Sequence, residues 1–353
     1  NELIAEYLHH QQELATSNWL ALLAHHAFEG QAWDVAIQAN LDLGKQALDN
    51  YLTDQAIQAF TRTLEAVNAV QSSENDLKFQ AHHLLGETIA IQGEYEEALR
   101  HLTAAQESLL SESRATDHSQ HVAHVEYHTA SVLEKQGRYQ EALNVVKQGL
   151  KLQDVRDTTE GARLYLMGAG LYHRLGQLKE FQRWTESCVE ILAEDDAPKS
   201  RKIKARAFYL LALLALRRGA NEEALDLGKQ SLNIYKSVAD LMGEVEARNQ
   251  LLLINLASGN CTEAIQHGKN ALNIAKRIRH RAGEARIAAN LGEVYRYLGE
   301  WRQARNSYSL ALEIAKEHGI TYGIALMENN LAALDIKEGN LSEARQIGRA
   351  SCR

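Results

Sequence analysis

Seven glycines recur along the chain at an almost constant distance, and this recurrence restricts the possible folds more than any other feature. The glycines are Gly93, Gly137, Gly176, Gly219, Gly259, Gly299 and Gly339. Their positions differ successively by 44, 39, 43, 40, 40 and 40. A fixed period of about 40 residues is typical of a helical repeat array, in which each helix pair stacks only on its neighbours.

The clearest unit is residues 285–319, in which large and small residues alternate at helical spacing on both sides of Gly299. Glycine supplies the positive φ with which many helices end, and small residues allow two helices to approach closely. A single proline and an aromatic content of 6% also favour helices. The pattern therefore predicts an all-α chain of antiparallel helix pairs with a period of about 40, wound into a right-handed α-α superhelix.

The residues of this unit resemble the tetratricopeptide repeat (TPR). The resemblance rests on Leu291-Gly292, Tyr295, Ala304, Tyr308 and Ala311, and again on Leu85-Gly86, Gly93, Tyr95, Ala98 and Ala105. It covers about residues 79–346 in seven units, which are longer than the 34-residue type and lack its closing proline. It implies a superhelix whose first helices line a concave peptide-binding groove. Long units of this kind are similar to those of LGN-like scaffolds and of bacterial signalling ATPases of the STAND class.

A second resemblance lies near the N-terminus. Leu23-Ala24-His25-His26, Gly30-Gln31-Ala32-Trp33 and Asp54-Gln55-Ala56 are similar to the segment that follows the ATPase module in bacterial STAND regulators. The resemblance implies a larger regulator with an ATPase or output domain, although the sequence contains no G-x-x-x-x-G-K-[ST] motif. We therefore expect a fragment with a helical N-terminal segment at 1–75 and seven repeats at 76–346. Residues 347–353 resemble a translated adapter and are expected to be a non-native tail.

The candidate binding residues occupy the outward positions of the first helix of each pair, at i, i+3 or i+4, and i+7. A side-chain amide can donate and accept hydrogen bonds together, and arginines add positive charge. The candidates are Arg286, Asn290, Glu293, Arg296, Asn249, Gln250, Asn329, Asn330, Arg163 and Arg206. They are predicted to hold an extended or helical acidic peptide in the groove. The alternative is a solvated helix face without a ligand.

Other chemistry receives less support from the sequence. His121, His124 and His128 share a helix face with His118 close by, and neutral imidazoles can hold Zn²⁺. No further ligand stands nearby in sequence, so we predict neither a metal nor another cofactor. The net charge of −8 argues against direct nucleic-acid binding. No apolar run approaches the ~20 residues that cross a bilayer. Three cysteines without metal spacing favour a reducing, cytoplasmic location.

Function follows from these observations as a prediction. The sequence contains no G-x-S-x-G, H-E-x-x-H or C-x-x-C motif, and we expect no catalysis. The leading hypothesis is a protein- or peptide-binding TPR array that acts as the sensor and interaction region of a larger bacterial signalling regulator. The alternative is a stand-alone scaffold that binds partner peptides in the same groove. An enzyme with a site hidden in the groove is the third possibility.

Overall fold

The computed structural model describes residues 19–50, 52–70, 75–110, 118–152 and 154–340. These residues form sixteen α-helices and contain no β-strand. The helices are α1 Trp19–Glu29, α2 Trp33–Asp49, α3 Thr53–Ala69, α4 Asn75–Gln92, α5 Tyr95–Leu110, α6 His118–Lys135, α7 Tyr139–Gly149, α8 Thr159–Arg174, α9 Leu178–Ile191, α10 Pro198–Arg217, α11 Asn221–Ser237, α12 Leu241–Ala257, α13 Cys261–Arg277, α14 Arg281–Tyr297, α15 Trp301–Glu317 and α16 Thr321–Glu338. The predicted all-α fold is confirmed.

The recurring glycines stand at the turns inside the helix pairs, as predicted. Gly299 follows α14 with a φ of +74°. Its N–H donates to the carbonyl of Arg296, and the N–H of Glu300 donates to the carbonyl of Tyr295 over 2.9 Å. This pair of bonds is a Schellman motif, which closes the helix end and requires the left-handed conformation at one residue. Helices α4, α6, α8, α10, α12, α14 and α16 precede these glycines and are called the first helices below.

Three links between pairs in the second half of the chain, α11 to α12, α13 to α14 and α15 to α16, use the same left-handed conformation, which the sequence pattern does not reveal. Gly319 has a φ of +63° between α15 and α16. Arg279 and Ala239 stand one and two repeat periods earlier and have φ values of +56° and +54°. The left-handed region is unfavourable for residues with a Cβ. The repeat period of 40 residues is therefore followed by the backbone of these three links as well as by the turns at the recurring glycines.

Close helix contacts depend on small residues facing large ones. A Cβ built on Gly292 of α14 would lie 2.4 Å from Cε1 of Tyr308 on α15, and Tyr308 is fully buried. Gly44 of α2 meets the buried ring of Phe60 on α3 in the same way. Each glycine thus makes room for an aromatic ring of its partner helix.

The chain divides into two compact units, residues 1–184 and 185–353. In the first, a core cluster extends from Leu23 to Val132. In the second, one cluster lies between Ala205 and Ile254 and another between Val245 and Leu334. The predicted domain boundary at 75/76 stays a prediction, and the predicted tail at 347–353 lies outside the described residues. Within the described ranges, no helix combines the length and apolar character needed to cross a membrane.

Candidate functional site

The first helices of the second unit carry a row of polar side chains that join one helix to the next. Helix α10 contacts α12, and α12 contacts α14. Gln250 Nε2 of α12 donates to the backbone carbonyl of Tyr209 on α10 over 2.8 Å. Asn290 Nδ2 of α14 donates to Oδ1 of Asn249 over 2.8 Å. Repeat-related positions thus form successive cross-links, and we call the face that carries them the amide face.

Glu293 of α14 is the most connected residue of the amide face. Its Oε1 accepts from the hydroxyl of Tyr308 over 2.6 Å and from Nδ2 of Asn330, on α16, over 3.2 Å. Its Oε2 pairs with Arg296 at 2.7 Å. Burial and the hydrogen bond to Glu293 raise the pKa of Tyr308. The carboxylate therefore joins three helices and holds Asn330 and Arg296 in fixed positions.

Charged residues continue this face toward α10. Arg286 of α14 forms an ion pair with Glu246 of α12 and keeps 48% of its side chain exposed. Arg206 lies over the ring of Tyr209, with its guanidinium carbon 4.6 Å from the ring centroid. Arg206 is exposed and makes no ion pair with any residue in the described ranges. A cation on an aromatic ring without a carboxylate partner is available to an acidic ligand.

The predicted binding residues differ in accessibility. Asn249 and Gln250 are buried, with exposed fractions of 5% and 3%, and their hydrogen bonds stabilise the helix contacts. Asn290 and Asn330 are half-buried, whereas Arg296 and Asn329 are exposed. A ligand on this face would thus meet the arginines and Asn329 directly, and the buried amides would position the helices beneath it.

Arg163 lies in the first unit, among residues that the sequence does not connect with it. Its Nη1 contacts Glu160 Oε2 and His124 Nδ1, each at 2.9 Å. Its guanidinium carbon stands 4.1 Å from the ring centroid of Tyr127. These contacts place Arg163 beside a group of histidines, one of which, His83, comes from α4.

Sequence reasoning missed two contributors to these clusters. The sequence pattern indicates only a packing role for Tyr308, yet its hydroxyl donates to Glu293. The partnership of His83 with His124 joins residues 41 positions apart, which is close to the repeat period. The period itself is the signal that could have found this pair, since it places equivalent positions of successive first helices side by side.

These features define a class of protein, the helical repeat array built from stacked antiparallel helix pairs. Residues 245–317, which are 73 of the 353, match the family model described as tetratricopeptide repeat. No curated protein matches the sequence. The matched segment is similar to the tetratricopeptide repeat, and the other described helix pairs repeat the same architecture.

Solved structures share this architecture at low sequence identity. The apo form of the quorum sensor NprR from B. thuringiensis has a TM-score of 0.68 at 14% identity, over 99% of this chain and 92% of that one. A STAND protein with a tetratricopeptide repeat sensor from Pyrococcus horikoshii has a TM-score of 0.64 at 14% identity, over 96% of this chain and 53% of that one. A Rap protein complexed with competence and sporulation factor has a TM-score of 0.55 at 13% identity, over 99% and 97%. At these identities the likeness establishes the fold.

Proposed function

We propose that the chain is a peptide-binding TPR array without catalytic activity of its own, and that the amide face holds an extended acidic segment of a partner protein. The observation that carries this proposal is the exposed Arg206, which rests on Tyr209 without a carboxylate partner in the described ranges. The Rap neighbour, solved with competence and sporulation factor, supports an interaction role for this architecture.

The spacing of the first helices indicates the length of such a ligand. Packed helices lie about 8–10 Å apart, so the four first helices α10 to α16 extend over roughly 24–30 Å. An extended peptide covers about 3.3 Å per residue, and about seven to nine residues would match this length. Arg286 and Arg296 are half-exposed along this path, where carboxylates of a ligand can compete for them with Glu246 and Glu293.

Charge-graded peptides test the proposal. Synthetic nine-residue peptides with zero, two or four aspartates among randomised uncharged positions are titrated into the protein by fluorescence anisotropy. We expect affinity to rise with the number of aspartates and to fall at least fivefold, or about 1 kcal/mol, in Arg206→Ala. Arg302→Ala removes an exposed arginine from the second helix α15 and is the matched control. Equal binding by Arg206→Ala and the original protein, or no binding in any charge class, would reject the proposal.

The wider context is a separate part of the proposal. The residues at 23–56 that resemble the segment after a STAND ATPase suggest that this array reports ligand binding to a nucleotide-binding module. Ligand binding would act by favouring one arrangement of the repeats over another. Sequencing the source gene on the 5′ side of the Asn1 codon tests this context. A P-loop ATPase is expected there, and a gene without one would favour the stand-alone scaffold.

A further inference from the structure

Three histidines of the first unit meet between two adjacent first helices. His124 and His128 stand four residues apart on one face of α6, and His83 projects from α4. One ring nitrogen from each histidine lies within 4.8 Å of those of the other two. The ring centroids are 4.9 to 5.1 Å apart. We call these three residues the histidine triad.

The polar atoms of the triad are incompletely satisfied. His83 is only 8% exposed, and its Nε2 is buried without a hydrogen-bond partner among the residues that the structure describes. A buried polar atom without a partner costs about 1–3 kcal/mol, and a nitrogen lone pair can be satisfied by a proton donor or by a metal ion. Phe79 stacks on His83 with ring centroids 5.6 Å apart and restricts its movement away from the other two rings.

The charge states of His83 and His128 suit metal ligands. Burial, reinforced by neighbouring positive charge, lowers the pKa of His83 to about 3 and that of His128 to about 2. Both imidazoles are therefore neutral at physiological pH, and metal ions are bound by neutral imidazole. Neither His83 nor His128 has to lose a proton before coordination.

A carboxylate stands behind the triad. Glu160 Oε2 of α8 lies 3.4 Å from Nδ1 of His124. A metal-bound histidine typically donates its other N–H to such a carboxylate, which fixes the tautomer and the ring orientation. Arg163 now contacts the same Nδ1 and also Glu160. When His124 Nδ1 carries the proton, Arg163 can no longer donate a hydrogen bond to it. Arg163 still forms its ion pair with Glu160, so the cationic side chain remains paired.

The triad also has access to solvent and room for a fourth ligand. A cavity of about 340 Å³ is lined by two members of the triad, His83 and His124, together with Phe79, Gln120, His121 and Glu160. Three fixed protein ligands with an open position are the pattern of a reactive or exchangeable zinc site, whereas structural sites are closed by four. Zn–N distances of roughly 2.0–2.1 Å in a tetrahedral site place the nitrogens about 3.4 Å apart. The three nitrogens, which lie within 4.8 Å of one another, would therefore have to approach each other by up to about 1.4 Å.

We propose that His83, His124 and His128 form a binding site for one divalent transition-metal ion, best matched by Zn²⁺, with Glu160 orienting His124 and a fourth position open to the cavity. Because the ligands come from α4 and α6, the ion would connect two successive helix pairs within residues 1–184. It would stabilise that unit whenever the metal is present. This proposal is independent of the acidic-peptide site in the second unit.

Calorimetric titration of the metal-free full chain with ZnCl₂ tests the proposal. We expect one equivalent to bind with a Kd below about 10 µM and the melting temperature to rise. The Co²⁺-substituted protein should show the visible absorption of four-coordinate cobalt. His124→Gln, at a partly exposed position, and His83→Gln should each weaken Zn²⁺ binding at least tenfold. Glu160→Gln should weaken it roughly tenfold, in the range found for carboxylates behind metal ligands.

A matched control distinguishes the triad from histidine content in general. His82 neighbours His83 on α4, but its Nδ1 faces Nδ1 of His101 at 3.0 Å. His82→Gln should therefore bind one Zn²⁺ as tightly as the original chain. Circular dichroism shows whether each variant folds. If His83→Gln does not fold, the affinity of His124→Gln for Zn²⁺ tests the proposal instead. The absence of a one-to-one binding event, or unchanged affinity in a folded His124→Gln, would overturn the proposal.

Discussion

Replacing Tyr308 by phenylalanine removes one hydroxyl of the second helix α15 that contacts the amide face, and leaves the buried ring in place. That hydroxyl donates to Glu293 Oε1 over 2.6 Å, and the ring is fully buried. A hydrogen bond to a charged group contributes about 1.5–3 kcal/mol. Glu293 keeps 34% of its side chain exposed, so water can replace part of this bond. We therefore expect the free energy of unfolding to fall by about 1–2 kcal/mol, toward the lower end of that range.

Urea denaturation followed by circular dichroism at pH 7 measures this loss. A double-mutant cycle with Glu293→Gln isolates the coupling between the two side chains and should return about 1 kcal/mol. Tyr295→Phe is the control, because the hydroxyl of Tyr295 makes no hydrogen bond with the described residues, and it should change stability by less than ~0.5 kcal/mol. If Tyr308→Phe lowers the free energy of unfolding no more than the control does, the stabilising role assigned to Glu293 is refuted.

Three further substitutions test packing, backbone and charge by urea denaturation. Gly292→Ala places a Cβ 2.4 Å from the ring of Tyr308 and should lower the free energy of unfolding by about 1–3 kcal/mol. The control Gly170→Ala places its Cβ in open space and should be neutral or stabilising. Equal effects of the two substitutions would contradict the packing argument. Ala239→Gly relieves a φ of +54° and should raise stability by about 0.5–1 kcal/mol; a loss would contradict the left-handed turn. Burial raises the pKa of Glu126 to about 7, so the folded state prefers the neutral carboxyl group. The contribution of Glu126 to the free energy of unfolding is therefore most favourable below the unfolded pKa of 4.5, and it is lost as the pH rises through 7. Glu126→Gln should therefore stabilise by about 2–3 kcal/mol at pH 8 and by much less at pH 4.5, and a pH-independent difference would contradict this assignment.

The sequence predicts the fold well because its information about helices is local and repeated. Gly299 and the other recurring glycines stand at turns that require a positive φ, which glycine adopts readily. The preceding Leu291 and Gly292 follow helical spacing. The positive φ values at Ala239 and Arg279 are not predicted from the sequence, because neither residue type favours a positive φ. A tight link of fixed length between stacked pairs imposes that conformation against the preference of the side chain.

The site was predicted less completely, because periodicity identifies a face but not how its side chains pair. Asn290 was expected to contact a ligand, and the structure shows its amide donating to Asn249. Arg163 is predicted to lie on the groove side of its helix and to add positive charge there, whereas its partners Glu160 and His124 are known only from the packing of α6 against α8. Whether these residues bind a ligand stays a prediction.

Photo-crosslinking tests the central claim, peptide binding by the amide face, most directly. A nine-residue peptide with four aspartates and a central benzophenone group is bound, irradiated and mapped by mass spectrometry. Crosslinks are expected on α10, α12, α14 and α16, close to Arg206, Arg286 and Asn329, and should disappear when excess unlabelled peptide competes. Competed crosslinks confined to the second helices α11, α13 and α15 would contradict the account.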